Sequence, residues 1–202
     1  MNDNPLLPNR YFDTYFKTDT VKLTPGQYYV TDEDVAIVTV LGSCIAACIR
    51  DVTSGKGGMN HFMLPAIRSQ DGVKIGHTLG MRYGSYAMEL VINELIKHGC
   101  RRENLEAKVF GGAAVVKAFT QLNIGVDNAV FVREYLKVEK IRLASEDLLG
   151  DVPRKIYFFP RTGVVHVKYL RTVTNDTVSA RDVEYMEKLS RQTIYGDVDI
   201  FS

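Results

Sequence analysis

Apolar positions follow two periods along this chain. From Ile37 to Ile49 they run almost without a break: Ile37-Val-Thr-Val-Leu41, an interruption at Gly42-Ser43, then Cys44-Ile-Ala-Ala-Cys-Ile49. A β-branched apolar run of this kind predicts a buried strand to Leu41, a second strand over Ile45–Ile49 and a third over Gly58–Leu64. Gly42 marks a bulge or sharp bend where backbone comes close to another group. Between Ser85 and His98 the period changes to that of a helix. Ala87, Leu90, Val91 and Leu95 share one face, widened by Met88, Ile92 and Ile96, with Ser85 as N-cap and Gly99 as the stop.

The remaining elements follow by the same rules. Thr24 to Val30 opens with a Pro-Gly turn and runs into a short strand, and Ala107–Phe110 is a strand closed by Gly111-Gly112. A helix is predicted over Ala129–Lys140, after a cap region at Ile124–Asn128, and a strand over Ile141–Leu149. Lys155–Phe159 and Val164–Leu170 form a hairpin around Pro160-Arg-Thr-Gly163, with His166 on its solvent face. A terminal helix covers Ala180–Arg191, with Ser179 and Asp182 in a capping box. Residues 1–19 read as an irregular arm whose aromatics dock on the body, Arg68–Thr78 as a surface loop, and Gly196–Ser202 as a tail. No repeat or domain boundary interrupts residues 20–202. The expectation is an α+β fold, a single-domain layered sandwich with a mainly antiparallel sheet.

Composition narrows the function. The 202 residues carry 25 Lys and Arg against 24 Asp and Glu, a net charge of +1. That balance argues against a nucleic-acid partner held by bulk charge. No apolar run approaches the roughly 18–20 residues that span a bilayer, and the N-terminus lacks the basic and apolar regions of a signal peptide. A cytoplasmic protein without membrane insertion is expected. Cys44, Cys48 and Cys100 make no disulfide framework.

The candidate chemistry lies at Cys44 and His61. If Arg50–Gly55 is a hairpin loop, Ile49 pairs with Lys56 and Cys44 falls opposite His61, with Cβ atoms about 4.5–5.5 Å apart. An imidazole at that distance takes the thiol proton, so Cys44 should ionise below the free-thiol value of about 8.5. The competing reading is a small apolar core residue, the common fate of a Cys in such a strand.

Leu41-Gly-Ser-Cys44 together with Gly57-Gly-Met-Asn-His61-Phe-Met-Leu-Pro65 resembles the chemoreceptor glutamine deamidase family, CheD. The resemblance continues through Tyr83-Gly-Ser-Tyr-Ala-Met-Glu-Leu, Lys108-Val-Phe-Gly-Gly-Ala and Phe158-Phe-Pro-Arg-Thr-Gly163, in the same order, from about Asn9 to the C-terminus. It implies an α/β sandwich similar to the deamidating toxin fold, and a Cys-His-Thr set with Thr39 as the nearest match for the third member. It also implies hydrolysis of glutamine side-chain amides on methyl-accepting chemotaxis proteins. Cys44 would be the nucleophile and His61 the proton carrier, and backbone N–H groups near Ser43 would hold the oxyanion. Ser43 and Asn60 are candidates for supporting the reacting pair or the oxyanion. A glutamyl methyl ester would give the same acyl-enzyme, hence methylesterase activity. No metal or organic cofactor is required. A CheC-type phosphatase is an implied partner beside the receptor cytoplasmic domains.

Two rivals are weighed against this. A zinc site at Cys44, Cys48 and His61 would need residues 44–48 to be helical, because four strand residues span about 13 Å. A non-catalytic chemotaxis adaptor, binding the receptor or a CheC-type phosphatase, would use the same surfaces without the reaction.

Overall fold

The computed structural model describes residues 8–65, 76–116, 124–171 and 176–194, with the backbone alone at 76–79, 176 and 191–194. Ten strands form two five-stranded sheets among the described residues. β1 (Asn9–Asp13), β2 (Thr18–Lys22), β4 (Ala36–Leu41), β9 (Arg154–Phe159) and β10 (Val164–Tyr169) form one, in the order β1-β2-β4-β9-β10. β3 (Tyr28–Thr31), β5 (Ile45–Asp51), β6 (Gly57–Asn60), β7 (Leu105–Gly111) and β8 (Arg142–Leu148) form the other, in the order β3-β6-β5-β7-β8. All neighbours are antiparallel except β2–β4 and β7–β8.

The layers follow from strand parity. Ile37 and Leu41 of β4 and Ile156 and Phe158 of β9 point into one core with Ala46 and Cys48 of β5. The opposite face of β5, Ile45, Ala47 and Ile49, meets α1 (Gly76–Lys97) and α2 (Ile124–Val138) through Met88, Val91, Ile92, Leu95, Val132 and Leu136. The second sheet is therefore covered on both faces, which is why β5 reads as an unbroken apolar run rather than an alternating one. The third helix, α3 (Asp176–Ile194), lays Tyr185, Met186 and Leu189 into the core between the sheets. The fold is α+β with layered sheets and helices, as the periodicities predict.

Several boundaries differ from the sequence reading. The expected N-terminal arm contains β1 and leads into β2; Phe16, between them, packs on Tyr157, Phe159 and His166 on the outer face of the first sheet. α1 begins at Gly76, so Ser85 sits within the helix and caps nothing, and residues 66–75 of the expected loop lie outside the described residues. Gly99, at φ +85°, does end α1: its N–H bonds Ile96 O, and that of Cys100 bonds Leu95 O. This pair is the Schellman pattern. Ile96 is exposed, not part of the apolar face. The cap region at Ile124–Asn128 is the first turn of α2.

The hairpin after β5 is shifted by two residues. Ile49 pairs with Gly58 instead of Lys56, and Ile45 bridges Phe62. The cause is a longer return: Asp51 Oδ1 accepts the N–H groups of Thr53 and Ser54, and Gly55 turns at φ +72°. A two-residue shift preserves parity, because the side-chain period of a strand is two. Cys44 and His61 remain on one face, now as diagonal neighbours.

Candidate functional site

The chain crosses from the first sheet to the second at Gly42–Cys44. β4 ends at Leu41, residues 42–44 bend, and β5 starts at Ile45. The crossing brings three segments together. Thr39 points inward from β4, Cys44 ends the bend, and His61 follows β6 on the same inner face; all three are buried.

The hydrogen bonds around Thr39 fix the state of the imidazole. Thr39 Oγ1 donates its one proton to Leu23 O at 2.9 Å and lies 2.7 Å from His61 Nδ1. The hydroxyl can then only accept from the ring, so Nδ1 carries the proton and Nε2 carries the lone pair. Nε2 is buried with no hydrogen-bond partner. The main chain of His61 is held on both sides, its N–H by Gln27 O and its carbonyl by Gly26 N–H. The ring is thus a neutral base with a buried, free acceptor at Nε2. Burial, with the Arg181 cation adding to it, keeps its pKa well below the ordinary value of 6.5.

Cys44 makes no hydrogen bond to that acceptor. Its thiol faces Asp182 of α3, with Sγ 3.7 Å from Oδ1. The other carboxylate oxygen, Oδ2, accepts from the Ser43 N–H at 2.8 Å and from Ser43 Oγ at 2.7 Å. Arg181 pairs with Oδ1 at 3.3 Å and donates to Val40 O at 2.7 Å. Burial and then the Asp182 charge push the Cys44 thiol well above its ordinary value of 9.0. This overturns the expectation of a thiol ionised below the free-thiol range: in this arrangement Cys44 is a protonated, covered thiol. A surface hollow lined by Gly26, Tyr28, His61, Phe62, Tyr83 and Tyr86 reaches His61 but not Cys44.

The bend needs its glycines. A Cβ on Gly42 would stand 2.5 Å from Asp182 Oδ2 and 3.0 Å from Val178 Cγ1, so α3 could not seat against any larger residue. Gly111, at φ +114°, has no room for a Cβ beside Cys44 O, and Gly112 N–H bonds that carbonyl at 2.8 Å. The glycine pair after β7 therefore clamps the backbone of Cys44.

Two buried residues at the site escape the sequence reading. Asn128 of α2 donates from Nδ2 to Ser43 O and accepts the Leu64 N–H at Oδ1, tying the bend to the chain after His61. Asp182, read as half of a capping box, is fully buried on α3. Its signal in the sequence is a carboxylate at helical spacing between Val178 and Met186, in the middle of an apolar stripe. Asn60 faces the other way. Its Oδ1 accepts Ala47 N–H and its Nδ2 donates to Ala87 O and Met88 Sδ, so it joins the second sheet to α1. Cys48 is an inter-sheet core residue with its thiol pushed up by burial, and Cys100 is buried behind the end of α1. Among the described residues, no three His, Cys, Asp or Glu side chains converge to hold a metal, and no helix is long and apolar enough to cross a membrane.

Comparison with known proteins gives this geometry a family. The family model of CheD chemotactic sensory transduction matches residues 63–169, a range that starts after His61. Relatives extend the similarity over the site itself. The probable chemoreceptor glutamine deamidase CheD of Methylobacillus flagellatus is 51% identical over 199 residues, 98% of each chain. The protein of the same name from Thiobacillus denitrificans is 52% identical over 199 residues, again 98% of each. That of Paraburkholderia xenovorans is 54% identical over 186 residues, 91% of this chain and 73% of its own. The chain belongs to the CheD family of chemotactic sensory transduction proteins.

Proposed function

We propose that this protein is a chemoreceptor glutamine deamidase, an amidohydrolase with Cys44 as nucleophile. The relatives' names support the reaction class and the receptor substrate. The observation that carries the assignment of residues is the Leu23–Thr39–His61 chain of hydrogen bonds, which leaves Nε2 with a free lone pair on a residue that shares its sheet face with Cys44. A base oriented by a third polar group is the arrangement that activates a thiol.

The steps follow from the atoms present. A substrate glutamine places its carbonyl oxygen at the Ser43 N–H and its carboxamide carbon at Cys44 Sγ. The thiol turns from its resting acceptor, and His61 Nε2 takes its proton as sulfur attacks. The Ser43 donor holds the oxyanion, where fixed hydrogen bonds act most strongly. His61 then protonates the departing nitrogen, the C–N bond breaks, and ammonia leaves a thioester. Water, deprotonated by the same Nε2, cleaves the C–S bond and gives glutamate with the free thiol. A glutamyl methyl ester enters the same sequence with methanol as the leaving group. Thr39 acts by keeping the proton on Nδ1, so it positions the base and does not react. A CheC-type phosphatase belongs to the same reading as a binding partner, to be sought by co-purification.

Mass spectrometry of a receptor cytoplasmic fragment tests the proposal. The protein should raise the mass of selected glutamines by about one dalton, the amide-to-acid change, and Cys44→Ala should not. A chain that binds the fragment and leaves every glutamine unchanged is an adaptor, and the proposal fails.

A further inference from the structure

We propose that α3 is an internal occupant of the substrate groove, with the Asp182 carboxylate seated where the carboxamide of a substrate glutamine binds, so that the resting protein holds its own site closed. The inference rests on the deamidase reading for the identity of the seat, and on the geometry of α3 for its occupation.

Three observations carry it. The Asp182 carboxylate is planar like a carboxamide or a product glutamate. Its Oδ2 takes the Ser43 N–H and hydroxyl, and its Oδ1 faces Cys44 Sγ at 3.7 Å. An acyl carbon bound for attack needs those partners: a donor for the carbonyl oxygen and sulfur beside it. Second, the nucleophile is closed off under α3, and the side chains of Asp182 and Cys44 have no exposure. Third, the stripe that α3 inserts is Val178, Asp182, Tyr185, Met186 and Leu189, all buried, with one acid among apolar residues. A buried carboxylate is a costly choice where only packing is needed, because desolvating it must be offset by every donor around it. Here the donors include the main chain at the bend beside the nucleophile.

The closed arrangement also separates the reacting groups. The thiol faces Asp182 while the acceptor of His61 has no partner. Withdrawal of α3 would remove the carboxylate and the Arg181 cation together, free the Ser43 donors, and leave His61 Nε2 as the acceptor on the face that Cys44 shares. It would also open a groove bordered by Gly26, Gly42, Tyr83 and Val115, which now contact or bond Tyr185, Val178 and Ser179 of α3. The shape left behind is that of an amphipathic helix carrying one side-chain acyl group on its apolar face. The occupant that displaces α3 is a receptor helix presenting a glutamine in that position.

Cys44 alkylation by iodoacetamide, read by mass spectrometry without any substrate, tests this in the full chain. Asp182→Ala should raise the rate at least about tenfold, by favouring the open form, and lower KM for the receptor fragment with kcat little changed. Asp182→Asn, which keeps the acceptor for Ser43, should stay protected. A buried acid with only a structural role would lower the melting temperature and leave KM unimproved. An unchanged alkylation rate in an Asp182→Ala chain that still melts cooperatively overturns the proposal. If that chain does not fold, the unmodified protein decides: a synthetic peptide of residues 176–194 should inhibit receptor deamidation competitively, and its Asp182→Ala form should be at least about tenfold weaker. Absence of inhibition overturns the proposal. A receptor fragment that is never deamidated would defeat the functional reading instead, while the substrate-free alkylation result would stand.

Discussion

α1 and α3 both lay one face on a sheet, and they differ in what stands at the centre of that face. α1 presents Met88, Val91, Ile92 and Leu95, all apolar, to the second sheet, and ends in a Schellman turn at Gly99. α3 presents Val178, Tyr185, Met186 and Leu189 around Asp182, and its polar atoms bond to the bend and to Val115. The stripe of α1 gains only from staying where it is. The stripe of α3 holds a charge whose partners belong to the candidate site. A helix can thus be part of the fold by packing and part of the function by what it covers, and the buried polar group on its face tells the two apart.

The comparison breaks first at the cysteines. Cys44 lies under α3, Cys48 in the core between the sheets and Cys100 behind the end of α1. Cys44→Ala should reduce receptor deamidation by about a thousandfold or more, as loss of a nucleophile does, whereas Cys48→Ala and Cys100→Ala should keep most of it. Equal losses in all three, measured on chains with matched melting temperatures, would mean that the position under α3 is not special.

Thr39 sharpens the comparison from the other side of the site. Thr39→Ala should lower kcat about ten- to a hundredfold through loss of one buried hydrogen bond to the base. Thr39→Ser should restore a substantial part, since the hydroxyl remains to accept from Nδ1. A Thr39→Ala chain as active as the parent on intact receptor would reduce the set to Cys44 and His61.

A pair of glycines separates the two helices directly. A Cβ at Gly42 meets Asp182 and Val178 of α3, while one at Gly84, within α1, meets Phe131 of α2 and Leu64 at 2.5 and 2.6 Å. Both substitutions should lower the melting temperature, and both fall in the range of overpacking, about 1–3 kcal/mol. Only Gly42→Ala should also speed Cys44 alkylation. Acceleration by Gly84→Ala of the same size would show a site opened by any loosening of the fold.

The smallest effect is on stability against pH. His61 has its pKa depressed in the folded chain, so below the ordinary value of 6.5 the unfolded state takes up a proton that the folded state does not. Stability should therefore fall as pH drops below 6.5. Cys44 and Cys48 have theirs raised, so above the ordinary 9.0 the unfolded thiols lose protons first and stability should fall as pH rises. Thermal melts from pH 5 to pH 10 should show both limbs, with His61→Gln flattening the acid one and Cys44→Ala part of the alkaline one. Limbs unaffected by either substitution would place their origin elsewhere.

Much of this was legible in the sequence because it depends on local period. The β5 run, the α1 stripe, the 160–163 hairpin loop and the bend at Gly42 are short-range patterns, and the structure keeps them. The register after β5 was not, since the length of the return depends on the Asp51 turn and Gly55, which a count of residues does not reveal. Parity survived the two-residue shift, so Cys44 and His61 still share a face. Asp182 was misread for a different reason. Its partners lie 138 and 139 residues away, and a carboxylate near a helix start is equally suited to a cap. The same distance hid the role of Asn128, whose bonds run to Ser43 and Leu64.

Amide hydrogen exchange on the unmodified chain tests the central contrast most directly. Residues 178–190 of α3 should exchange through a local opening, far faster than residues 88–95 of α1, and Cys44 should be alkylated through that same opening. If α3 exchanges only with global unfolding, at the protection of α1, the helix is a fixed part of the fold and the site is not closed by a removable occupant.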